Sequence, residues 1–96
     1  MRVRFTRTAQ RDLAQIHAFI GQDSPITASR FVAQLVQHAR KIGDHPLAGR
    51  ATDEADVRVM TAPRLRYLIF YTVVADEVHI THIRHTSRRR PNNWGR

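Results

Sequence analysis

Seven side chains in the second half of the chain have the types that phosphodiester chemistry requires: Arg58, Arg64, Arg66, His82, Arg84, His85 and Arg88. Cleaving an RNA backbone without a metal takes a base for the 2′-hydroxyl, cations around the scissile phosphate and an acid for the leaving oxygen. Imidazole titrates near neutrality and can serve as acid or base, while guanidinium keeps its charge and matches phosphate geometry. A catalytic set drawn from this inventory would be Arg58, Arg66, His82, Arg84 and His85. A second chemistry is the docking of an acidic partner, in which the candidate contacts are Arg50, Arg58, Arg66, Arg84, His85, Arg88, Arg89, Arg90 and Trp94. There the guanidinium forks would meet carboxylates and Trp94 would be an apolar anchor. Metal chemistry is not expected, because spacing of three aligns His79, His82 and His85 on a helix, whereas on a strand the middle one faces away. No cofactor is expected either: there is no Ser-centred elbow, Gly-rich phosphate loop or pair of catalytic carboxylates.

Most of these groups lie in residues 66–90, RYLIFYTVVADEVHITHIRHTSRRR. Tyr67 to Val74 is an unbroken apolar and β-favouring run, Ala75-Asp76-Glu77 interrupts it, and a second β-branched run begins at Val78, which is a hairpin signature. The first arm has no polar face and suits a strand buried on both sides at the centre of a sheet. If the second arm alternates without a bulge, Val78, Ile80, His82 and Arg84 share one face and His79, Thr81, Ile83 and His85 the other. Both faces turn basic towards its end.

Upstream elements must support that edge. Arg2-Val3-Arg4-Phe5 alternates as a short first strand with Val3 and Phe5 inward. Ala9, Leu13, Ile16 and Ile20 recur at helical spacing, with Thr6 or Thr8 placed to cap and an end near Gly21. Ser24-Pro25 opens a second helix, whose apolar stripe runs through Phe31, Leu35 and Ala39 to Ile42. Asp44 to Arg50 reads as a loop, with Arg50 placed to pair with Asp53 or Glu54, and Val57 to Met60 as the next strand. The order is β-α-α-β-β-β. This predicts an α+β fold in which an antiparallel sheet packs on an N-terminal helical hairpin.

At 96 residues the chain is read as one domain, 1–96, with a basic tail over 86–96. There is no cysteine and no apolar run long enough to span a membrane, so a cytoplasmic protein without membrane partners is expected. A net charge of +8 calls for an anionic partner. From Val78 to Arg96 there are five arginines and no acidic residue. Nucleic acid would satisfy that charge, but the chain has neither an aromatic platform nor a recognition helix of a nucleic-acid-binding module.

Ala9-x-x-Asp12-Leu13-x-x-Ile16, Pro25 to Leu35, Pro46-Leu47-Ala48-Gly49-Arg50, Val57-Arg58, Tyr67 to Tyr71, Val78-x-Ile80 and His85-x-x-Arg88 with Pro91 and Trp94 resemble, in order and spacing, the RelE/ParE superfamily of toxins from type II toxin–antitoxin systems, and within it the ParE branch. The resemblance implies the same β-α-α-β-β-β fold and a ParD-like antitoxin whose C-terminal segment wraps the toxin. For ParE-like members it implies inhibition of DNA gyrase, with a role in plasmid stabilisation. For RelE-like members it implies metal-free mRNA cleavage on the ribosome. Nucleolytic relatives carry an arginine where the third strand enters its apolar run, and Leu68 stands there; no tyrosine follows Tyr71, and the lysines around the second strand are missing. The non-enzymatic reading is therefore preferred.

Overall fold

The structure is a computed structural model that describes residues 1–87. Arg88, Arg89, Arg90 and Trp94 lie outside the described residues, with most of the basic tail. The chain runs through β1 (Arg2–Phe5), α1 (Arg7–Gly21), α2 (Pro25–Lys41), a 3-10 turn (Ile42–Asp44), β2 (Arg50–Ala51), β3 (Arg58–Ala62), β4 (Tyr67–Val74) and β5 (Glu77–His85). Sheet order is β1-β5-β4-β3-β2, so the strand that is apolar on both faces occupies the centre.

Both helices start where a side chain can satisfy the open amides of a first turn. The Thr6 hydroxyl oxygen accepts from the Ala9 N–H at 3.2 Å and donates to the Ile80 carbonyl at 2.9 Å, fixing the start of α1 to the sheet. Ser24 accepts from the Thr27 N–H at 3.2 Å, and Pro25 takes the first helical position. His38, Arg40 and Lys41 occupy the last turn of α2, where cations favour the carbonyl end of the dipole. Ile16, Leu35, Ala39 and Ile42 then form one core with Ile69 and Tyr71 of β4 and Val78, Ile80 and Ile83 of β5. Burying side chains of this size contributes roughly 1.5–3 kcal/mol each, enough to hold a helical hairpin that neither helix's propensity would secure.

The strand pairing departs from the sequence expectation in three ways. β1 pairs with β5 in parallel, from Arg2 opposite Glu77 to Phe5 opposite Ile80, so the sheet is mixed. A fifth strand, the two-residue β2, pairs with β3 inside the stretch read as loop. Finally, β5 carries a bulge at Thr81: Tyr71 opposes Ile80 but Phe70 opposes His82. That extra residue shifts the alternation by one, so Ile83 joins Val78 and Ile80 on the helix-covered face.

The β4–β5 loop is Ala75-Asp76, and Ala75 sits at φ 55°, a conformation that costs a residue bearing a Cβ. Ala75→Gly is therefore expected to raise stability by about 0.5 kcal/mol, the relief of that strain exceeding the extra chain entropy of glycine. Thermal unfolding of the two proteins side by side checks this, and a lower midpoint for the glycine variant contradicts it.

Candidate functional site

A groove of about 450 Å³ opens between α1 and the end of β5, with Asp12, Ile16 and Phe19 on one wall and Ile83, Arg84, His85 and Ser87 on the other. The α1 residues recur at spacings of four and three, hence on one helical face. Ile16 is buried while Phe19 is 72% exposed, so the apolar stripe of α1 runs out of the core into the groove.

Asp12 ties the two walls together. β1 ends at Phe5, so β5 loses its outer neighbour after Ile80, and the Asp12 carboxylate stands in for the missing strand. Its Oδ2 accepts from the Ile83 N–H at 2.9 Å, and its Oδ1 accepts from Nη1 of Arg84 at 2.7 Å. At 6% exposure both carboxylate oxygens need hydrogen-bond partners, and these two donors supply them. Its signal in the sequence is an acid three residues after Ala9 and four before Ile16, on the apolar stripe of its own helix. The family motif contains Asp12 but does not reveal this task.

His85 stands edge-on to Tyr67, with ring centroids 5.1 Å apart, and Tyr67 in turn meets Phe31 at 5.7 Å. The Ser87 N–H donates to Nδ1 of His85 at 3.1 Å, and the Ser87 hydroxyl lies 2.6 Å from the same nitrogen. An amide can only donate, so Nδ1 is an acceptor and the neutral ring carries its proton on Nε2. His82 lies past the bulge, opposite Phe70. Its pKa is lowered from 6.5 by burial first and by the Arg84 guanidinium second, against opposing pulls from Asp12 and Glu54. The unfolded chain therefore takes up this proton more readily. The His82 contribution to stability is full above about pH 6.5 and is lost as pH falls through the lowered folded value. Replacing His82 by glutamine is expected to flatten that limb of the stability profile, measured by urea unfolding at a series of pH values; an unchanged slope refutes the assignment.

The other sequence candidates lie elsewhere. Arg58, at the start of β3, turns onto the loop before β2, donating through Nη1 to the carbonyls of Gly49 at 2.8 Å and Leu47 at 3.3 Å. Beside it the buried Tyr71 hydroxyl donates to the Pro46 carbonyl at 2.8 Å and accepts from the Gly49 N–H at 2.9 Å. Arg66 sits exposed in the β3–β4 turn at φ 60°. Arg50 is exposed on β2, and among the described residues its ion pair with Asp53 or Glu54 does not form. Arg58 opposes Tyr71 across the sheet while His85 opposes Tyr67. Four residues of strand therefore separate their positions, roughly 13 Å at 3.3 Å per residue.

The chain is similar to known proteins over nearly its whole length. A family model for the ParE toxin of the type II toxin-antitoxin system, parDE, matches residues 3–90. The chain belongs to the ParE toxin family. Toxin RelE2 of Caulobacter vibrioides is 34% identical over 84 residues, spanning 88% of this chain and 93% of the relative. The fold is shared with a chain of the chromosomal ParDE TA system from P. aeruginosa, at a TM-score of 0.80 and 24% identity, covering 91% of this chain and 97% of the other. It is shared also with the isolated E. coli RelE toxin, at a TM-score of 0.64 and 13% identity, covering 92% and 86%. This ParE-family toxin is thus a member of the RelE/ParE superfamily, with the two helices and mixed five-stranded sheet of its structural neighbours.

Within this ParE-family fold, Arg84 and His85 meet at one groove, while Arg58, Arg66 and Arg50 lie on other strands of the sheet or in its turns. What the groove offers is a guanidinium beside an apolar, aromatic wall. The chemistry of such a surface is complementary to that of an acidic, amphipathic ligand.

Proposed function

We propose that this toxin inhibits DNA gyrase in the ParE manner and is neutralised in the cytoplasm by a cognate ParD-like antitoxin seated against the α1–β5 groove. The observation that carries this reading is the dispersal of the cationic candidates. Arg58 is committed to two loop carbonyls and its position is roughly 13 Å along the sheet from that of His85. A scissile phosphate needs its acid, base and cations within hydrogen-bond reach at once. Arg84 and His85 instead serve antitoxin contact, with Arg50, Arg66 and the tail residues Arg88, Arg89, Arg90 and Trp94 as outlying contacts that draw the acidic partner in.

Purified toxin is expected to block supercoiling by gyrase in a plasmid assay, and prior mixing with the antitoxin is expected to restore it. Cleavage of ribosome-bound mRNA with supercoiling intact would overturn this in favour of the RelE-like reading, with His82, Arg84 and His85 the first residues to replace. For the antitoxin contact, Arg84→Gln keeps a donor for Asp12 but loses the charge. It is expected to weaken the complex at least about tenfold in titration calorimetry, and unchanged affinity would defeat the assignment.

A further inference from the structure

The helical hairpin carries charge of one sign. Over residues 7–41 the cations are Arg7, Arg11, Arg30, Arg40 and Lys41, all exposed. The carboxylates there are Asp12, buried in the groove, and Asp23, in the turn between the helices. Neither helix therefore has the acid–base pairs, three or four residues apart, that balance an exposed helical surface. Arg7 and Arg11 stand one turn apart on α1, on the side away from its buried residues Ala9, Asp12 and Ile16. On α2 the buried residues are Ala28, Leu35 and Ala39, and Arg30 and Arg40 lie on the outer side. Arg40 also reaches the start of α1: its guanidinium carbon is 6.0 Å from the centre of the Phe5 ring, two residues before Arg7. At the far end of the hairpin His17 and Ser29 meet at 3.2 Å. The guanidiniums thus share the outer side of the helical layer, while the groove occupies a different flank of α1.

A surface charged in this way repels itself until a polyanion covers it. We infer that the outer face of the α1–α2 hairpin binds the phosphate backbone of duplex DNA without reading its sequence. Guanidinium forks match phosphate oxygens, and the exposed amides of Gln34 and Gln37 add neutral donors suited to backbone contact. Arg30 and Arg40 are about 15 Å apart along α2, a span over which a duplex presents several phosphates. Single strands are held largely by stacking on aromatic rings, and the exposed ring of the hairpin, Phe19, belongs to the groove wall. An anionic membrane would need large apolar side chains among the cations, whereas the exposed residues around Arg7, Arg11 and Arg40 include Thr8, Ala14, Ala33 and Gln37. This inference goes beyond the gyrase reading and stands without it.

The test removes equal charge from two places. Binding of the toxin to a short labelled duplex of arbitrary sequence is followed by fluorescence anisotropy over a series of salt concentrations. The proteins compared are the parent, Arg7→Gln with Arg11→Gln, and Arg64→Gln with Arg66→Gln, the last pair being exposed in the β3–β4 turn and off the hairpin. Glutamine preserves helix propensity, and thermal unfolding confirms that each variant folds. Each phosphate contact contributes about 0.9 to the slope of log affinity against log salt. Loss of two contacts in the α1 pair is therefore expected to flatten the slope by about 1.8 and to weaken binding at least about tenfold at low salt. The turn pair is expected to keep the parent's slope, and a second duplex of unrelated sequence to bind the parent equally well. Equal flattening by both pairs would overturn the assignment, since net charge rather than the hairpin would then attract the duplex. Absence of duplex binding by the parent, or tighter binding to single-stranded DNA or to vesicles of anionic lipid, would overturn it as well.

Discussion

Asp12→Ala is expected to destabilise the toxin by about 4 kcal/mol, the largest loss from any single replacement in the groove. Two losses combine. The Ile83 amide is left buried without an acceptor, which costs about 1–3 kcal/mol. The Arg84 guanidinium, whose side chain is only 28% exposed, loses a counter-ion; removing one member of a buried pair costs about 3–5 kcal/mol, and this pair sits at the low end because water reaches one side. Asp12→Asn is expected to recover about half of the loss, since an amide oxygen still accepts from Ile83 while its NH₂ faces the cation poorly. Urea unfolding of the three proteins decides the matter. A loss below about 1 kcal/mol for the alanine variant would mean that water replaces the carboxylate and that the wall of the groove does not depend on it.

Gly49→Ala is expected to cost about 3 kcal/mol for a different reason. A Cβ at this position would lie 2.5 Å from the Tyr71 hydroxyl oxygen and 2.8 Å from its ring, and the ring cannot retreat because it is fully buried. Overpacking of this kind costs roughly 1–3 kcal/mol. To it are added the hydrogen bonds that Tyr71 exchanges with Gly49 and Pro46, which cannot both survive a shift of the loop. Tyr71→Phe in the same background removes the atom in closest approach. The double variant is therefore expected to lose less than the sum of the singles; strict additivity in denaturant unfolding would show that Gly49 matters for some reason other than the ring.

Sequence is most informative where one local interaction decides the structure. Ser24 caps the second helix as expected, and of the two threonines placed to cap the first it is Thr6 that does so. The unbroken run from Tyr67 to Val74 can be buried on two sides only at the sheet centre, where β4 lies. Non-local choices are harder to see. Nothing in Arg2-Val3-Arg4-Phe5 states which strand it meets or in which direction, and the parallel pairing with β5 follows from the path of the intervening helices. The bulge does leave a trace: Val78, Ile80 and Ile83 are spaced by two and then by three, and strict alternation does not hold across that change. Arg58 reads as a free surface cation because the carbonyls that hold it belong to a separate loop. Asp12 is hidden for a similar reason, since its partners are Ile83 and Arg84.

That distance has a consequence for how the toxin comes into being. The bond from Asp12 to Ile83 spans 71 positions of the chain, and β1 waits for β5 in the same way. Chains emerge from synthesis N-terminus first, at about 5–20 residues per second. For most of that time α1 exists with its groove wall facing nothing, and contacts this remote form late because closing so long a loop is entropically costly. No nascent fragment lacking β5 can present the surface. On the proposed contact, an antitoxin that recognises both walls would therefore read completeness: an unfinished chain lacks one wall, and capture would wait until β5 arrives.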